Sequence, residues 1–546
     1  MNRIDVLPDD VLLEMFDFYL KECPIFPVKL RAHAWLSLVQ VCRRWRSLVF
    51  LSPRRLNLKL YCTPQTPAKY ALDVLPPFPL IIHGSTDVTS RTDNIVAALG
   101  KSNRVCDVEL YLGGWHLEQV LAAMQVPFPE LTDLRLSSDD EIGEPPVIPD
   151  SFLDGSAPRL RHLSLHGVPF PGLPKLFMSA THLVSLNLPN IPHSGYISPE
   201  AIAAPLSLLS SLEMLSLGFR SPQSRPDWES RSIPRLNRSV LPALKKLHFK
   251  GVTEYVEELV TRIDTPQLDG ININLFNQID FSCTRLTQFI NCTPKLRTRD
   301  EAHVQFDDST VGISLRNRTS NHNPRAHELL INISCREPDW QLSSIEQVCN
   351  SLYPLSTLKG LYIEHKYSQL VWESGVIENN LWLELFRPFV TVENLYLSKE
   401  FAPDIAVAMK EFVGITELLP SLQKLFVEGL EPSGPLQENI GQFVAARQSS
   451  DHHIDFYVWT GRLPDKFRCV VRRRAQLSGI ITAIPTFRIL VVGQVSIMYF
   501  FGHNRNLRCF IAARFRKVLT HQIYFQCGYV GMHPVVFLPH QLMGKL

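Results

Sequence analysis

The chain has 546 residues, of which 45% are hydrophobic and 20% charged, so it can bury a large core and is not a mostly disordered protein. Its 40 prolines predict short elements separated by frequent turns and argue against long helical bundles. The formal net charge of +2 divides unevenly: residues 1–462 carry more acids than bases, which argues against nucleic-acid binding by that part.

Residues 5–53 have the pattern of three short helices. Pro8, Asp9 and Asp10 form a helix start, because proline suits the first turn and carboxylates favour the positive helix end. Apolar residues then recur at helical spacing at Val11, Leu12, Met15, Phe16 and Tyr19. The second helical stretch carries Leu30, Ala34, Trp35 and Leu38. The third carries Val41, Cys42, Trp45, Leu48 and Val49. So short a module makes a marginal core, and we expect part of its apolar surface to meet a partner.

The segments DVLPDDVLLEMFDFYL and LSLVQVCRRWRSLV resemble the F-box motif, with its Leu-Pro opening and its later Val-Cys-Arg-Arg-Trp-Arg run. In that family the module binds the small Skp-family adaptor of cullin-RING ubiquitin ligases. The resemblance implies an adaptor-binding surface formed by Leu7, Pro8, Val11, Leu12, Val41, Cys42 and Trp45. The first four would make the main contact, and the last three a second patch and the packing beneath it. The alternative is that these residues only form the core of a small helical cap.

From about residue 100 a short unit, LxxLxL, recurs, usually after a proline or a turn residue. The units begin at Val105, Leu131, Leu160, Leu183, Leu212, Leu244, Leu268, Leu358, Val392 and Leu422. The last two apolar positions of each unit alternate as in a strand, and the first anchors the turn that leads in. The irregular spacing, between 23 and 32 residues over the second to seventh units, lies near the leucine-rich-repeat period. We therefore predict an α/β fold, an irregular horseshoe-like solenoid of stacked parallel strands over residues 56–462.

Between about residues 276 and 350 the repeat weakens, and the segments AHVQFDDSTVGISL and HELLINISC have the alternation of strands. The connector TEYVEELVTRI, residues 253–263, carries a helical apolar stripe. Asparagine is mostly absent after the repeats, which predicts no ladder of buried amides. Blocks such as ISCREPDWQLSSIEQVCNSL and LWLELFRPFVTVENLYLS resemble the C-terminal half of F-box proteins abundant in mushroom-forming (basidiomycete) fungi. With the F-box, the resemblance covers roughly residues 4–460.

Residues 463–546 form a tail of different character. It carries 12 Lys or Arg residues and one acid, Asp465. The segment ILVVGQVSIMYFF, residues 489–501, is apolar apart from Gln494 and Ser496, whereas a membrane-spanning helix needs about 20 apolar residues. We expect no stable membrane span and no compact domain here. The alternatives for this apolar segment are a buried helix, a strand pair or contact with an anionic membrane surface.

The sequence lacks the usual patterns of catalysis and metal binding. It contains no P-loop, no GxSxG elbow and no HExxH helix, and the adjacent His452 and His453 have no evident third ligand. Asp307 and Asp308 have the pattern of a turn. The 11 cysteines occur singly, without a CxxC pair, and mostly inside apolar runs, as Cys349 does. We predict reduced core thiols, no enzyme activity, no metal and no cofactor.

The resemblance to the F-box motif, together with the repeat body, implies a substrate-recognition subunit of an SCF-type ubiquitin ligase. Its partners would be a Skp-family adaptor, through it a cullin, and an unknown protein substrate, with no nucleic acid. The opening MNRIDVLPDDVLLEMF interrupts its apolar residues with acids, unlike a secretory signal, so we expect a cytoplasmic or nuclear location. The alternative function is a repeat scaffold without a ligase, its helices only capping the first strand. A cap would bury Leu7 and Val11, whereas a docking module would leave them accessible.

Overall fold

The computed structural model describes residues 7–22, 34–85, 92–138, 145–223, 238–276, 283–297, 299–317, 329–352, 355, 357–365, 379–411, 418–428, 435–449, 453–459 and 470–471. The chain divides into two compact units, residues 1–482 and 483–546, and all described residues belong to the first. The apolar segment 489–501, His452 and most of the basic tail lie outside the described residues.

The described residues of the N-terminal module contain three helices: α1 (Asp9–Glu22), α2 (Ala34–Val41) and α3 (Arg43–Leu51). Helix α1 follows Pro8, whose carbonyl accepts the first helical hydrogen bond, from the Leu12 amide at 3.1 Å. Cys42 has an extended backbone, and its Sγ accepts a hydrogen bond from the Trp45 amide, 3.5 Å away. The stretch predicted as one helix from Val41 is therefore divided at Cys42, which caps α3.

Nineteen short strands follow in the described part of the chain. They are β1 (Leu60–Cys62), β2 (Leu80–Ser85), β3 (Val105–Leu112), β4 (Asp133–Ser138), β5 (His162–His166), β6 (Ser185–Ile191), β7 (Met214–Phe219), β8 (Ser239–Val240), β9 (Lys246–Gly251), β10 (Ile263–Asp264), β11 (Gly270–Leu275), β12 (Glu301–Asp307), β13 (Thr310–Arg316), β14 (Leu329–Ser334), β15 (Gly360–His365), β16 (Asn394–Leu397), β17 (Lys424–Glu428), β18 (Asp455–Trp459) and β19 (Val470–Val471).

Seventeen of these strands form one sheet. Its spatial order is β1 to β7, then β9, β11, β14, β13, β12, and finally β15 to β19. Neighbours run parallel, except that β13 opposes β12 and β14, and β19 opposes β18. Strands β8 and β10 pair separately. The parallel stack confirms the predicted repeat architecture, although the sheet begins at Leu60, well before the first recognised unit.

The apolar residues of the repeats form the core of the sheet. In all ten LxxLxL units the three apolar side chains are at most 4% exposed. The units stack in register: Leu134 pairs with Leu163, Leu163 with Leu186, and Leu186 with Leu215. Each repeat therefore buries its apolar face against the next one rather than within itself.

The weak-repeat region contains three strands, β12 to β14, as the alternation predicted, but they do not continue the solenoid. The chain leaves β11, passes two strand positions and enters the sheet as β12, which lies in parallel beside the later strand β15. It then turns back through β13 to β14, which fills the place beside β11. A reversed three-strand meander is thus inserted between two parallel stacks.

Helices connect many of the strands and add their apolar faces to the same core. They are α4 (Ala68–Val74), α5 (Asp93–Leu99), α6 (Gly114–Ala123), α7 (Leu173–Leu176), α8 (Pro199–Leu206), α9 (Thr253–Arg262), α10 (Thr284–Cys292), α11 (Pro294–Arg297), α12 (Pro338–Ser351), α13 (Asn379–Phe386), α14 (Ala402–Glu411) and α15 (Pro435–Ser449). Helix α9 confirms the helix predicted over 253–263. Its stripe of Tyr255, Val256, Leu259 and Val260 is buried, whereas Ile263 starts β10.

Candidate interaction surfaces

Helix α1 has an apolar face toward the protein and a second one toward solvent. Its inner face is formed by Leu12, Leu13 and Phe16, of which the most exposed is 6% accessible. Val11, Met15 and Phe18 are 43%, 51% and 66% exposed and, together with exposed Pro8, form the outer stripe. Spacings of three, four and three residues place these four on one side of the helix. The helix thus holds more apolar surface than the described residues cover.

The opening of the module is held against the start of α3. The Arg44 guanidinium donates to the Leu7 carbonyl at 2.5 Å and forms an ion pair with the Asp9 carboxylate at 2.6 Å. Trp45 packs edge-on against Phe16, with ring centroids 4.7 Å apart. Since Arg44 lies two residues after Cys42, the turn between α2 and α3 is brought beside the Leu7–Pro8 opening. The two sequence segments that resemble the F-box therefore meet in space.

The module is also attached to the repeat body. The Trp35 side chain is 2% exposed, and its Nε1–H donates to the Lys59 carbonyl, immediately before β1, at 3.2 Å. Its ring packs edge-on against Phe78, just before β2, with centroids 5.4 Å apart. Phe50 of α3 lies against both rings. The module therefore covers the apolar end of the first repeat while its outer stripe stays open.

The structure places the seven residues assigned to the adaptor-binding surface in different environments. Pro8, Val11 and Val41 are exposed, the last at 58%, whereas Leu7, Cys42 and Trp45 are half-buried. Leu12 is 0% exposed, which corrects its assignment to a docking contact: one helical position from Val11, it points into the module's core. Exposed apolar residues that the assignment missed are Met15, Phe18 and Leu51. The spacing of Val11, Met15 and Phe18 was the signal that could have identified the first two.

The opposite face of the sheet carries the residues between the leucines. On β12 and β15 to β18 one register row holds the aromatic residues His303, Tyr362, Tyr396, Phe426 and Tyr457. Successive rings stack face to face, with centroids 4.1 to 4.8 Å apart and interplanar angles of 3° to 14°. We call this row the aromatic ladder. The aromatic residue inside three consecutive LxL patterns was a sequence signal for it.

His303 ends the ladder between two carboxylates. Its Nδ1 lies 3.5 Å from Glu364 and its Nε2 lies 4.0 Å from Glu301. Burial lowers the pKa of His303, but the neighbouring Glu301 and Glu364 carboxylates outweigh burial and raise this pKa above 6.5. Burial raises the pKa of Glu364, yet the adjacent His303 and a hydrogen bond from Gln305 at 3.2 Å hold it below 4.5. The arrangement favours a charged imidazolium stacked on Tyr362.

The same place brings a serine, a histidine and a carboxylate together without forming a catalytic site. Ser314 lies directly opposite His303 on β13, but it is 1% exposed and its hydroxyl has no hydrogen-bond partner. A nucleophile needs both a proton acceptor and access to substrate. The Nε2 of His303 faces Glu301 instead, so this arrangement lacks both requirements.

Other predicted sites have ordinary structural environments. The Asp308 amide donates to the Asp307 carboxylate at 2.8 Å, which confirms the local turn. Burial raises the pKa of the Cys349 thiol, and this side chain is wholly buried, as predicted for a core thiol, whereas Cys292 is exposed. Within the described ranges no three His, Cys, Asp or Glu side chains are grouped to hold a metal ion, and no helix has the length and hydropathy of a membrane span.

No protein-family model matches this chain, and no curated protein matches it either. Among solved structures, the chain is similar to the leucine-rich repeat-containing protein LegL7 from Legionella pneumophila. The alignment covers 74% of this chain and 91% of LegL7, at 11% sequence identity and a TM-score of 0.25. A likeness at that TM-score carries no argument about fold or function. The architecture rests on the strand register and the buried leucines.

Proposed function

We propose that this chain is the substrate-recognition subunit of an SCF-type cullin-RING ubiquitin ligase. In this proposal the outer stripe of Pro8, Val11, Met15 and Phe18 docks on a Skp-family adaptor, and the adaptor connects the chain to a cullin. The repeat body binds the protein substrate, and the chain itself performs no catalysis. It raises the rate of ubiquitin transfer by holding the substrate near a charged enzyme.

The observation that carries the proposal is the exposed stripe on α1. Exposed apolar residues are ordinary when single, but an aligned set on a helix marks an interaction site. Full burial of one such side chain is worth roughly 1.5 to 3 kcal/mol, so Val11, Met15 and Phe18, about half exposed on average, could contribute about 3 kcal/mol together. That is about a hundredfold in the dissociation constant.

A triple variant tests the docking site: Val11→Ser, Met15→Gln and Phe18→Ser. Because the three side chains point to solvent, the variant should unfold at nearly the wild-type temperature, yet bind a purified Skp-family adaptor about a hundredfold more weakly. Met178→Gln is the matched control, since Met178 is 69% exposed on the repeat body and lies outside the module. Unchanged adaptor affinity in the triple variant, measured by biolayer interferometry, would remove the site assignment. A wild-type chain that binds no adaptor would remove the function.

One observation favours the second candidate function, a repeat scaffold without a ligase. The contacts of Trp35 with Lys59 and Phe78 make the module a cover for the first repeat, which is what a solenoid cap does. A cap has no need of the exposed Val11, Met15 and Phe18, which is why we place this function second. The adaptor-binding measurement separates the two, because a pure cap leaves the adaptor unbound.

A further inference from the structure

The neighbouring strands β3 to β7 and β9 have a polar face opposite to their buried leucines. One register row on this face consists of Asp107, Asp133, His162, Ser185, Met214 and Lys246. A second row begins with Glu109 and Arg135 and ends with His248. All these side chains are half-buried or exposed, so the face is accessible to solvent in each strand. Its charged side chains are concentrated at the two ends.

The end of the face on β3 and β4 is acidic. Three carboxylates, those of Asp107, Glu109 and Asp133, share this end with one guanidinium, which lies 3.5 Å from Glu109. No ion pair among the described residues includes Asp107. Burial raises the pKa of Asp107, and the like charge of Asp133 adds to this rise, which Arg135 and Lys59 oppose only in part. A cation beside Asp107 would relieve this repulsion.

The end of the face on β9 is basic. Lys246, His248 and Lys250 alternate with buried core residues and therefore lie on one side of the strand. Neither neighbouring strand, β7 or β11, contains an acidic residue. In the described part of the chain, neither lysine forms an ion pair. Burial lowers the pKa of His248, and the charge of Lys246 lowers it further, so an anion bound here would relieve a like-charge repulsion.

The strands between the two ends present mostly small, uncharged side chains. They include Ser164, Ser185, Asn187 and Ser216. The Asn187 amide donates to Ser164 Oγ at 3.1 Å, and the Nδ1 of His162, at the border with the acidic end, lies 2.7 Å from Asp133. These short side chains leave room above the sheet for a chain that crosses from one charged end to the other.

The distance between the charged ends sets the length of the partner. Four steps between neighbouring strands separate β4 from β9, about 19 Å at a strand spacing of about 4.8 Å, which an extended polypeptide covers in about six residues. We infer that this face binds an extended segment of a partner protein with a basic cluster against β3 and β4 and an acidic cluster against β9. A polypeptide carries both signs of charge, whereas a nucleic acid is negative throughout and would be repelled at the acidic end. The inference deepens the proposed function and rests on it, since the repeat body is there the part that binds substrate.

The test is fluorescence anisotropy of the full chain with three labelled twelve-residue peptides. The first has three lysines, six alternating glycines and serines and then three glutamates, and the second has the reverse order. The third has the same composition, but its lysines and glutamates alternate. We expect one segregated order to bind about tenfold more tightly than the alternating peptide, because several ion pairs form together. No binding, or segregated peptides that bind no more tightly than the alternating one, would overturn the inference.

Variants then locate the site. Lys246→Gln with Lys250→Gln should weaken binding of the tighter peptide about fivefold, and Asp107→Asn about threefold, since each loses ion pairs that reach solvent. Both variants should unfold at nearly the wild-type temperature. Lys69→Gln with Lys295→Gln is the matched control, because both lysines are exposed on helices α4 and α11, whose apolar sides join the leucine core. Full affinity in the first two variants, or an equal loss in the control, would refute the site.

Failure of this inference and failure of the proposed function are distinguishable. Peptide discrimination by a chain that binds no Skp-family adaptor would support the interaction face and remove the ligase function. Adaptor binding without peptide discrimination would remove the face and leave the ligase function in place.

Discussion

The face assignment of the repeat strands can be tested at two adjacent residues of β6. Leu186 is 0% exposed and lies in register between Leu163 and Leu215, so Leu186→Ala removes three buried carbons where neighbouring strands hold the space open. Such a cavity costs about 3 to 4 kcal/mol. Asn187 points to the opposite face, and Asn187→Ala loses only the half-buried hydrogen bond to Ser164 Oγ, 3.1 Å long, worth about 1 kcal/mol.

The assay is urea unfolding of both variants followed by circular dichroism, with stability read from the midpoint at constant slope. Hydrogen exchange adds a local measurement, because a solenoid can lose cooperativity: the Leu186→Ala variant should lose protection first in β5 to β7. The decisive quantity is the difference in unfolding free energy between the two variants, because a one-residue register slip moves every leucine to the other face. Equal costs, or a larger cost for Asn187→Ala, would refute the register.

Two further predictions concern His303 and a turn glycine. Interactions with Glu301 and Glu364 raise the pKa of His303, so its contribution to stability should be complete below pH 6.5 and fall as the pH rises above that value. The measurement is the unfolding temperature from pH 5 to 9. The His303→Asn variant should lack this fall. Gly167 has a φ of +67°, and a Cβ there would lie 2.8 Å from the Ser138 carbonyl oxygen. Gly167→Ala should therefore lower the unfolding free energy by roughly 1 to 3 kcal/mol in a urea titration, and an unchanged midpoint would contradict this.

The solenoid could be predicted because its signal is local and repeated. In LxxLxL the apolar spacing alone fixes which side chains face the core, and ten copies of the pattern leave little room for another arrangement. Helix α9 could be predicted for the same reason, since Tyr255, Val256, Leu259 and Val260 lie on one side of any helix drawn through them. The predictions agree with the structure where the residues at apolar spacing are also the buried ones.

The order of β12, β13 and β14 could not be predicted from the sequence. Alternation showed that these segments are strands, but a strand pattern is the same whichever neighbour the strand pairs with. In the structure β11 pairs with β14 and β12 with β15, so chain order and sheet order differ. Pairing depends on the edges that other strands leave open, which is a property of the whole sheet.

The proposed docking surface likewise divides into what the sequence determined and what the structure decided. The sequence by itself determined that α1 is apolar on a broad stripe, because helical spacing places Val11, Leu12, Met15 and Phe16 around one side. Only the tertiary structure decided that Leu12 and Phe16 are covered by the module while Val11 and Met15 stay open. The reason is physical: hydrophobicity fixes which residues gain free energy on leaving water, but the position of a neighbouring element decides which of them can leave it.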